Sequence, residues 1–313
     1  MKALIIDEVY EGIGRELGKY MAVEVKLLPT QEELAEMIGD YDVLIMRVDP
    51  AIDKRILDAA KNLKVIGVCS VGLNHIDMDT AKEKGIQVFN APGMNGNAVA
   101  ELTLAKMLEL SRQTIPADYD VTTNKHWDKY RFVGRELRGK TLGILGFGRI
   151  GQRVGELGRA FLMNVVAYDP FLPAHVFEEQ HAQSLSIAEV LRVSDFVTIH
   201  MPLTDETRHM FNAESLASMK PDAVVLNMAR GGIVDEKAMY EALKAGKIGG
   251  YATDVMEDEL AEGGLTEDAS MDSPLFECDN FIVTPHLGAQ TVDASRDVGN
   301  YIIDKVKTAL SLS

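Results

Sequence analysis

The six residues Gly146-Phe147-Gly148-Arg149-Ile150-Gly151 constrain this chain more than any other stretch. A run of buried-strand character, Thr141 to Leu145, leads into them and an amphipathic run follows. In that setting the glycine spacing predicts a strand, a tight turn and a helix. Gly146 permits the turn, Gly148 lets the backbone approach an anion, and Gly151 lets the helix pack closely on the strand. Unpaired N–H groups at the helix start then face a pyrophosphate. The next strand, Val165 to Tyr168, leads to Asp169, about 20 residues past the last glycine, where a carboxylate accepts hydrogen bonds from free ribose hydroxyls and repels a 2′-phosphate. The pattern predicts NAD rather than NADP.

Strand-like runs alternate with helical patterns from the first residues: Ala3 to Ile6, Val23 to Leu27, Val43 to Met46, Val65 to Val68 and Gln87 to Phe89. Such alternation implies a parallel sheet with crossover helices. Gly12 and Gly14 fall inside a helical pattern, so this first unit is α/β without a phosphate loop. From Asn97, apolar residues at Val99, Leu102, Ala105 and Leu108 predict an amphipathic helix long enough to run between domains. Residues 112–138 read as polar and irregular and hold the only tryptophan, Trp127. Strands are expected again at Phe196 to Ile199, Ala223 to Asn227, Gly249 to Asp254 and Phe281 to Val283. A last helical pattern, Thr291 to Leu310, cannot hold a core alone and is expected to return to the first unit. The predicted fold class is therefore α/β with two doubly wound parallel-sheet domains, one inserted in the other.

Composition narrows the partners. A net charge of −16 argues against nucleic acid and against an anionic membrane surface, while leaving room for an anionic substrate at a local basic pocket. Two cysteines, Cys69 and Cys278, are too few for a disulfide framework and have no zinc spacing, so no metal is expected and a reducing compartment is. The chain opens on a short strand that meets Asp7, not on a signal peptide's apolar stretch, and contains no run of about 18 apolar residues. A cytoplasmic location is the expectation.

Two further strand ends carry chemistry. Arg230, in Asn227-Met228-Ala229-Arg230-Gly231-Gly232, lies just past a buried strand, on the side where open parallel sheets bind ligands. A planar guanidinium there suits a carboxylate and polarises an adjacent carbonyl, and the flanking glycines leave room for a ligand. A lone arginine is otherwise a surface ion-pair partner. His286, between Thr284-Pro285 and Leu287-Gly288, follows another strand end, and a side chain titrating near neutrality can give or take the proton that alcohol–carbonyl interconversion requires. Glu259, in the acidic loop after Asp254, read alone is a solvated charge.

Taken together these residues resemble the D-isomer specific 2-hydroxyacid dehydrogenase family from end to end, and within it the catalytic core of the phosphoglycerate dehydrogenases. The resemblance rests on Gly72-Leu73-Asn74-His75-Ile76-Asp77, Val88-Phe89-Asn90-Ala91-Pro92-Gly93, Val99-Ala100-Glu101, the six-residue glycine motif and Tyr168-Asp169-Pro170. It rests equally on His200-Met201-Pro202-Leu203, on Ala229 to Asp235, on Asp254-Val255 and on Pro285 to Ala289. It implies a Rossmann NAD-binding domain, residues 99–287, inserted in a flavodoxin-like substrate domain, residues 1–98 and 288–313. It implies Arg230 for the substrate carboxylate and carbonyl, His286 as acid and base, and Glu259 as its partner. Val71 and Gly72 would offer backbone N–H groups to the substrate. Arg149, Ile150, Asp169, His200, Pro202, Ala229, Asp254 and Gly288, with Gly146, Gly148 and Gly151, would line NAD. The activity implied is reversible hydride transfer between NAD and a small anionic 2-hydroxy or 2-oxo acid, such as 3-phosphoglycerate, hydroxypyruvate or glyoxylate.

Departures qualify the substrate. Val68 stands where animal phosphoglycerate dehydrogenases carry an arginine near the phosphate, whereas Arg47 matches a second such arginine. Gly96 replaces a threonine that usually touches the cofactor, and the chain stops at Ser313 without the regulatory domain of many phosphoglycerate enzymes. Two other activities share the pattern, a formate dehydrogenase and a NAD-sensing corepressor. Glu259 disfavours the first, where a glutamine replaces the acid. In this family the segment equivalent to residues 112–138 packs on a second subunit. A homodimer is therefore expected, with Trp127, Tyr130 and Phe132 either as its anchors or covering their own domain, and with Trp127 close enough to the partner's cleft to influence substrate size.

Overall fold

The computed structural model describes residues 1–257 and 271–312. The chain divides into two compact units, Met1–Asn95 with Ala289–Ser313, and Gly96–Gly288. The first unit begins with β1 (Lys2–Ile5), α1 (Gly12–Leu17), β2 (Ala22–Val25), α2 (Gln31–Met37), β3 (Val43–Met46), α3 (Lys54–Ala59), β4 (Val65–Val68), α4 (Met78–Glu83) and β5 (Gln87–Phe89). Its five strands pair in parallel in the order β2-β1-β3-β4-β5. Alternation along each strand splits the core into two layers. Leu4, Ile6, Leu44 and Ile66 join α2 and α3 on one face, while Ala3, Ile5, Ile45 and Val65 point to the other. Three helices start on side chains that accept a backbone N–H: Thr30 from Glu33, Asp53 from Ile56 and Asp77 from Thr80.

The second unit contains α5 (Gly96–Arg112), α6 (Thr114–Thr122), β6 (Thr141–Leu145), α7 (Arg149–Ala160), β7 (Asn164–Tyr168), α8 (Ala174–Glu179), β8 (Gln183–Ser184), α9 (Ile187–Val193) and β9 (Phe196–Ile199). It continues with α10 (Ala213–Ala217), β10 (Val224–Asn227), α11 (Glu236–Lys244), β11 (Gly250–Thr253) and β12 (Phe281–Val283). The seven strands are parallel in the order β12-β11-β10-β9-β6-β7-β8. The order reverses between β6 and β9, and that switch point is where open parallel sheets form a ligand crevice.

Two expectations need correction. Residues 112–138 are not irregular throughout, since Thr114–Thr122 is helical. The break that hid it is Gln113, held at a left-handed φ of 51° between α5 and α6. The buried carboxylate of Asp120 then gathers the following loop, accepting hydrogen bonds from Arg131 Nη1 at 3.1 Å and Asn124 Nδ2 at 2.9 Å. The helix after Asn97 packs Val99, Leu102 and Leu108 on the core as its spacing suggests, but not Ala105, and its most buried stripe is rotated from the expected one. Val99, Ala100, Thr103, Leu104 and Met107 face inward with Lys106, while Ala105 is exposed.

The last helix, α12 (Val292–Ala309), returns to the first unit, where Ile302, Ile303 and Val306 complete the core layer under Ala3, Ile5 and Ile45. Gly67 on β4 shows how close it lies, because a Cβ there would stand 2.7 Å from Ile302 Cγ2.

Candidate active site

The glycine loop sits at the switch point and has the geometry its spacing implies. Gly146 adopts a φ of +88°, which few side-chain-bearing residues tolerate, and a Cβ on it would meet the His200 carbonyl carbon at 2.7 Å. A Cβ at Gly151 would collide with the Gly146 carbonyl. At Gly148, which precedes α7 with no side-chain cap, a Cβ would meet nothing within 4 Å. The approach to the helix start is thus clear, as a bound pyrophosphate requires. Arg149 and Ile150 open the helix. Asp169, past β7, accepts the Phe147 N–H at 2.9 Å on one oxygen and the Phe171 N–H at 3.0 Å on the other. The carboxylate is thereby fixed beside the loop.

Across the switch point, β9 ends in His200, whose Nε2 shares a 2.8 Å hydrogen bond with Thr198 Oγ1. Its Nδ1 is buried and has no hydrogen-bond partner among the described residues. Burial pushes the imidazole pKa down to about 3, so the ring is neutral at working pH. Pro202 follows on the surface, its carbonyl accepting from Thr207 Oγ1 at 2.8 Å.

Strands β10, β11 and β12 are neighbours, and the turns just past their ends carry Arg230, Asp254 and His286 respectively. Asn227 shapes the first of these turns: its Oδ1 accepts the Ala229 N–H at 3.1 Å and its Nδ2 donates to the Arg230 carbonyl at 2.9 Å. Arg230 is exposed, and its Nη1 donates to the Ala229 carbonyl at 2.7 Å. The buried Asp254 organises the third turn. Its Oδ1 accepts from Thr284 Oγ1 at 2.6 Å and the Leu287 N–H at 2.8 Å, and its Oδ2 from the Gly288 N–H at 2.7 Å. His286 is exposed between them, its own N–H donating to the Asp254 carbonyl at 3.0 Å. Asn227, Thr284 and the bracing function of Asp254 escape a reading of the sequence. All lie at strand ends inside the quoted motifs, but only coordinates show which groups their side chains bond.

Glu259 lies outside the described residues. In the first unit, Val68 is fully buried at the end of β4, and Val71 and Gly72 form a turn just beyond it. Asn90 Nδ2 holds that turn by donating to the Val71 carbonyl at 2.6 Å, and Ser70 Oγ donates to the Gly72 carbonyl at 3.1 Å. Among the described residues no group accepts from the Val71 or Gly72 N–H. Arg47 follows β3, the neighbouring strand.

Residues 104–288 match the model of the D-isomer specific 2-hydroxyacid dehydrogenase NAD binding domain. The sequence is 42% identical over 311 residues to the D-3-phosphoglycerate dehydrogenase of Methanocaldococcus jannaschii, a match that covers 99% of this chain and 57% of that protein. It is 39% identical over 282 residues to the hydroxypyruvate reductase of Thermotoga maritima, covering 90% of this chain and 89% of the relative. The crystal structure of D-lactate dehydrogenase from Aquifex aeolicus in complex with NAD and lactic acid superposes with a TM-score of 0.80 at 29% identity, over 99% of this chain and 96% of that one. The chain spans little more than half the length of the phosphoglycerate dehydrogenases it matches. The matched NAD-binding segment, the two parallel sheets and the agreement along nearly the whole chain make it a member of the D-isomer specific 2-hydroxyacid dehydrogenase family.

Proposed function

We propose that the chain is a NAD-dependent oxidoreductase that interconverts a small D-2-hydroxy acid and its 2-oxo acid. The observation that carries this reading is the row of three adjacent strand ends presenting Arg230, Asp254 and His286 on the sheet edge that bears the glycine loop. NAD, held through the start of α7, Asp169 and the groups around His200, Pro202, Ala229 and Gly288, supplies or accepts the hydride. The protein fixes the substrate and moves the proton. In the reducing direction Arg230 binds the substrate carboxylate in its planar fork, and protonated His286 donates to the carbonyl oxygen as negative charge develops there. Glu259 stabilises the imidazolium. In the oxidising direction neutral His286 takes the proton from the hydroxyl. The N–H groups of Val71 and Gly72 bind the substrate, and Arg47 binds a distal group. Asp254 acts on the reaction through the turn it braces.

The acid substrate belongs to the group that includes hydroxypyruvate, glyoxylate and the phosphorylated three-carbon acids. The protein works in the cytoplasm as a homodimer built on α6 and the loop that follows. Turnover of a panel of 2-oxo acids with NADH and then NADPH tests the reading. Reduction of at least one acid with NADH is expected, and His286→Ala is expected to lower kcat roughly a hundredfold or more while NADH still binds. A wild-type protein that binds NADH but reduces no acid would instead fit a NAD-sensing interaction protein.

A further inference from the structure

Three stretches of the seven-stranded unit meet beside the turn that carries Arg230. Residues 203–212 lead from β9 to α10, residues 228–235 form the turn and its continuation to α11, and residues 255–257 lead on from Asp254. The first stretch runs alongside the second, with the Phe211 N–H donating to the Ile233 carbonyl at 3.1 Å and the Asp235 N–H to the Phe211 carbonyl at 2.9 Å. The third presses on the turn itself, since a Cβ on Gly231 would stand 3.1 Å from the Glu257 nitrogen.

His209 bonds to both of the other stretches. Its N–H donates to the carbonyl of Gly232, two residues past Arg230, at 2.8 Å. Its Nε2 lies 3.0 Å from Glu257 Oε1, and because a carboxylate oxygen only accepts, that ring nitrogen carries the proton. Glu257 is anchored separately, its N–H donating to Glu236 Oε1 at 2.8 Å. His209 makes these two bonds from a left-handed φ of 49°, which costs a residue with a Cβ free energy and persists where neighbouring contacts impose it. Asn212, which caps α10, supplies a further contact by donating its Nδ2 to the His209 carbonyl at 3.2 Å. Arg230 itself has no comparable support. Its guanidinium donates to the adjacent Ala229 carbonyl and bonds to no other side chain among the described residues, so its direction follows from the backbone of its turn.

We propose that His209 is a positioning residue for Arg230: holding the Gly232 carbonyl with its main chain and Glu257 with its ring, it locks the arginine's turn against the stretch that leads on from Asp254. The inference rests on the role proposed above for Arg230 in binding the substrate carboxylate. Without the ring contact the turn samples other arrangements, and affinity for the acid falls by the fraction of molecules in which the fork is correctly set. The side chains of His209 and Glu257 are 46% and 35% exposed, so their contact adds little to global stability and its loss registers mainly at the arginine.

The test uses oxamate, an unreactive isostere of a small 2-oxo acid. Its dissociation constant from the enzyme–NADH complex is measured by NADH fluorescence for wild type, His209→Leu, Glu257→Leu, the double variant and His209→Gln, alongside NADH affinity and thermal melts. His209→Leu is expected to raise the oxamate constant by up to about fivefold, the range of a half-exposed ion pair, with NADH affinity and melting temperature nearly unchanged. Glu257→Leu should match it, and the double variant should be no worse than either single one, because both substitutions remove one contact. His209→Gln keeps an N–H donor toward Glu257 and is expected to bind oxamate much as wild type does. An unchanged oxamate constant in His209→Leu, additive effects in the double variant, or losses of NADH affinity and melting temperature in step with oxamate would each overturn the assignment of His209 and leave the dehydrogenase reading standing. A wild-type NADH complex that neither binds oxamate nor reduces any 2-oxo acid overturns both.

Discussion

His286 holds its backbone at a left-handed φ of 53°, a conformation that disfavours residues with a Cβ, and it does so in a turn locked by three hydrogen bonds to the Asp254 carboxylate. The surroundings over-determine this one residue, which suits the proton-transfer role proposed for it. Asp169 is fixed by the same logic, with each oxygen already accepting a backbone N–H. In the function proposed above, its remaining lone pairs and its charge would select the cofactor. Asp169→Ala is expected to raise the KM for NADH at least tenfold while leaving or improving use of NADPH, because the lost hydrogen bonds belong to free ribose hydroxyls and the lost charge repels a phosphate. Equal use of both cofactors by the wild type would remove Asp169 from this role. The positions of Asp169, Arg230 and His286 past strand ends were legible in the sequence, because strands are apolar runs and ligand-binding groups of parallel sheets collect beyond them. The bonds that hold them were not, since Phe147 to Asp169 and Asp254 to Gly288 close over long stretches of chain.

At the scale of elements, the turn after β10 depends on a glycine that no propensity argument would single out. A Cβ at Gly231 would run into the Met256 carbonyl, so the turn carrying Arg230 and the segment after β11 share space that only a hydrogen can occupy. Gly231→Ala is expected to destabilise the protein by about 2 kcal/mol, as overpacking does, and to impair turnover beyond that loss by moving Arg230. A thermal melt and kcat/KM measured together check this, and an unchanged melting temperature would show that the two segments can part. Helix α5 marks the limit of periodicity. Spacing identified a helix there and part of its inward face, Val99, Leu102 and Leu108, but not the buried Thr103 and Lys106, the latter only 4% exposed. Burial lowers the Lys106 pKa, and the ammonium lies 3.7 Å from Glu109 Oε2. Polar residues on the inward stripe blur the apolar period. Helix α6 was hidden for a different reason, its separation from α5 by a single left-handed residue.

At the scale of the molecule, the two parallel sheets were readable because eleven of the twelve strands among the described residues begin within one residue of where the sequence placed them. The two-residue β8 was too brief to read. The assembly proposed above would use the surface of α6 and its loop, where Trp127 is 88% exposed, Tyr130 77% and Val133 73%, with Ile115 and Tyr119 beside them in the chain. Trp127 and Tyr130 do not cover their own domain's core, whereas Phe132 is half-buried, and exposed rings of this kind suit the intersubunit role proposed for them. Light scattering at micromolar concentration is expected to give twice the chain mass, falling toward one chain for Trp127→Ala combined with Tyr130→Ala. A monomeric wild type would end the proposal.

The return of α12 to the first sheet also sets an order of events at the ribosome. Strands β1 to β5 are synthesised early, yet the layer containing Ala3, Ile5 and Ile45 is closed only by Ile302, Ile303 and Val306. At ordinary elongation rates that delay is on the order of 10–40 s. The inserted unit leaves the tunnel as one uninterrupted stretch and can close its own core within that interval. The nascent first sheet meanwhile waits with one apolar face open to water, so the period of greatest exposure to aggregation and to chaperones is bounded by the emergence of β5 and that of α12.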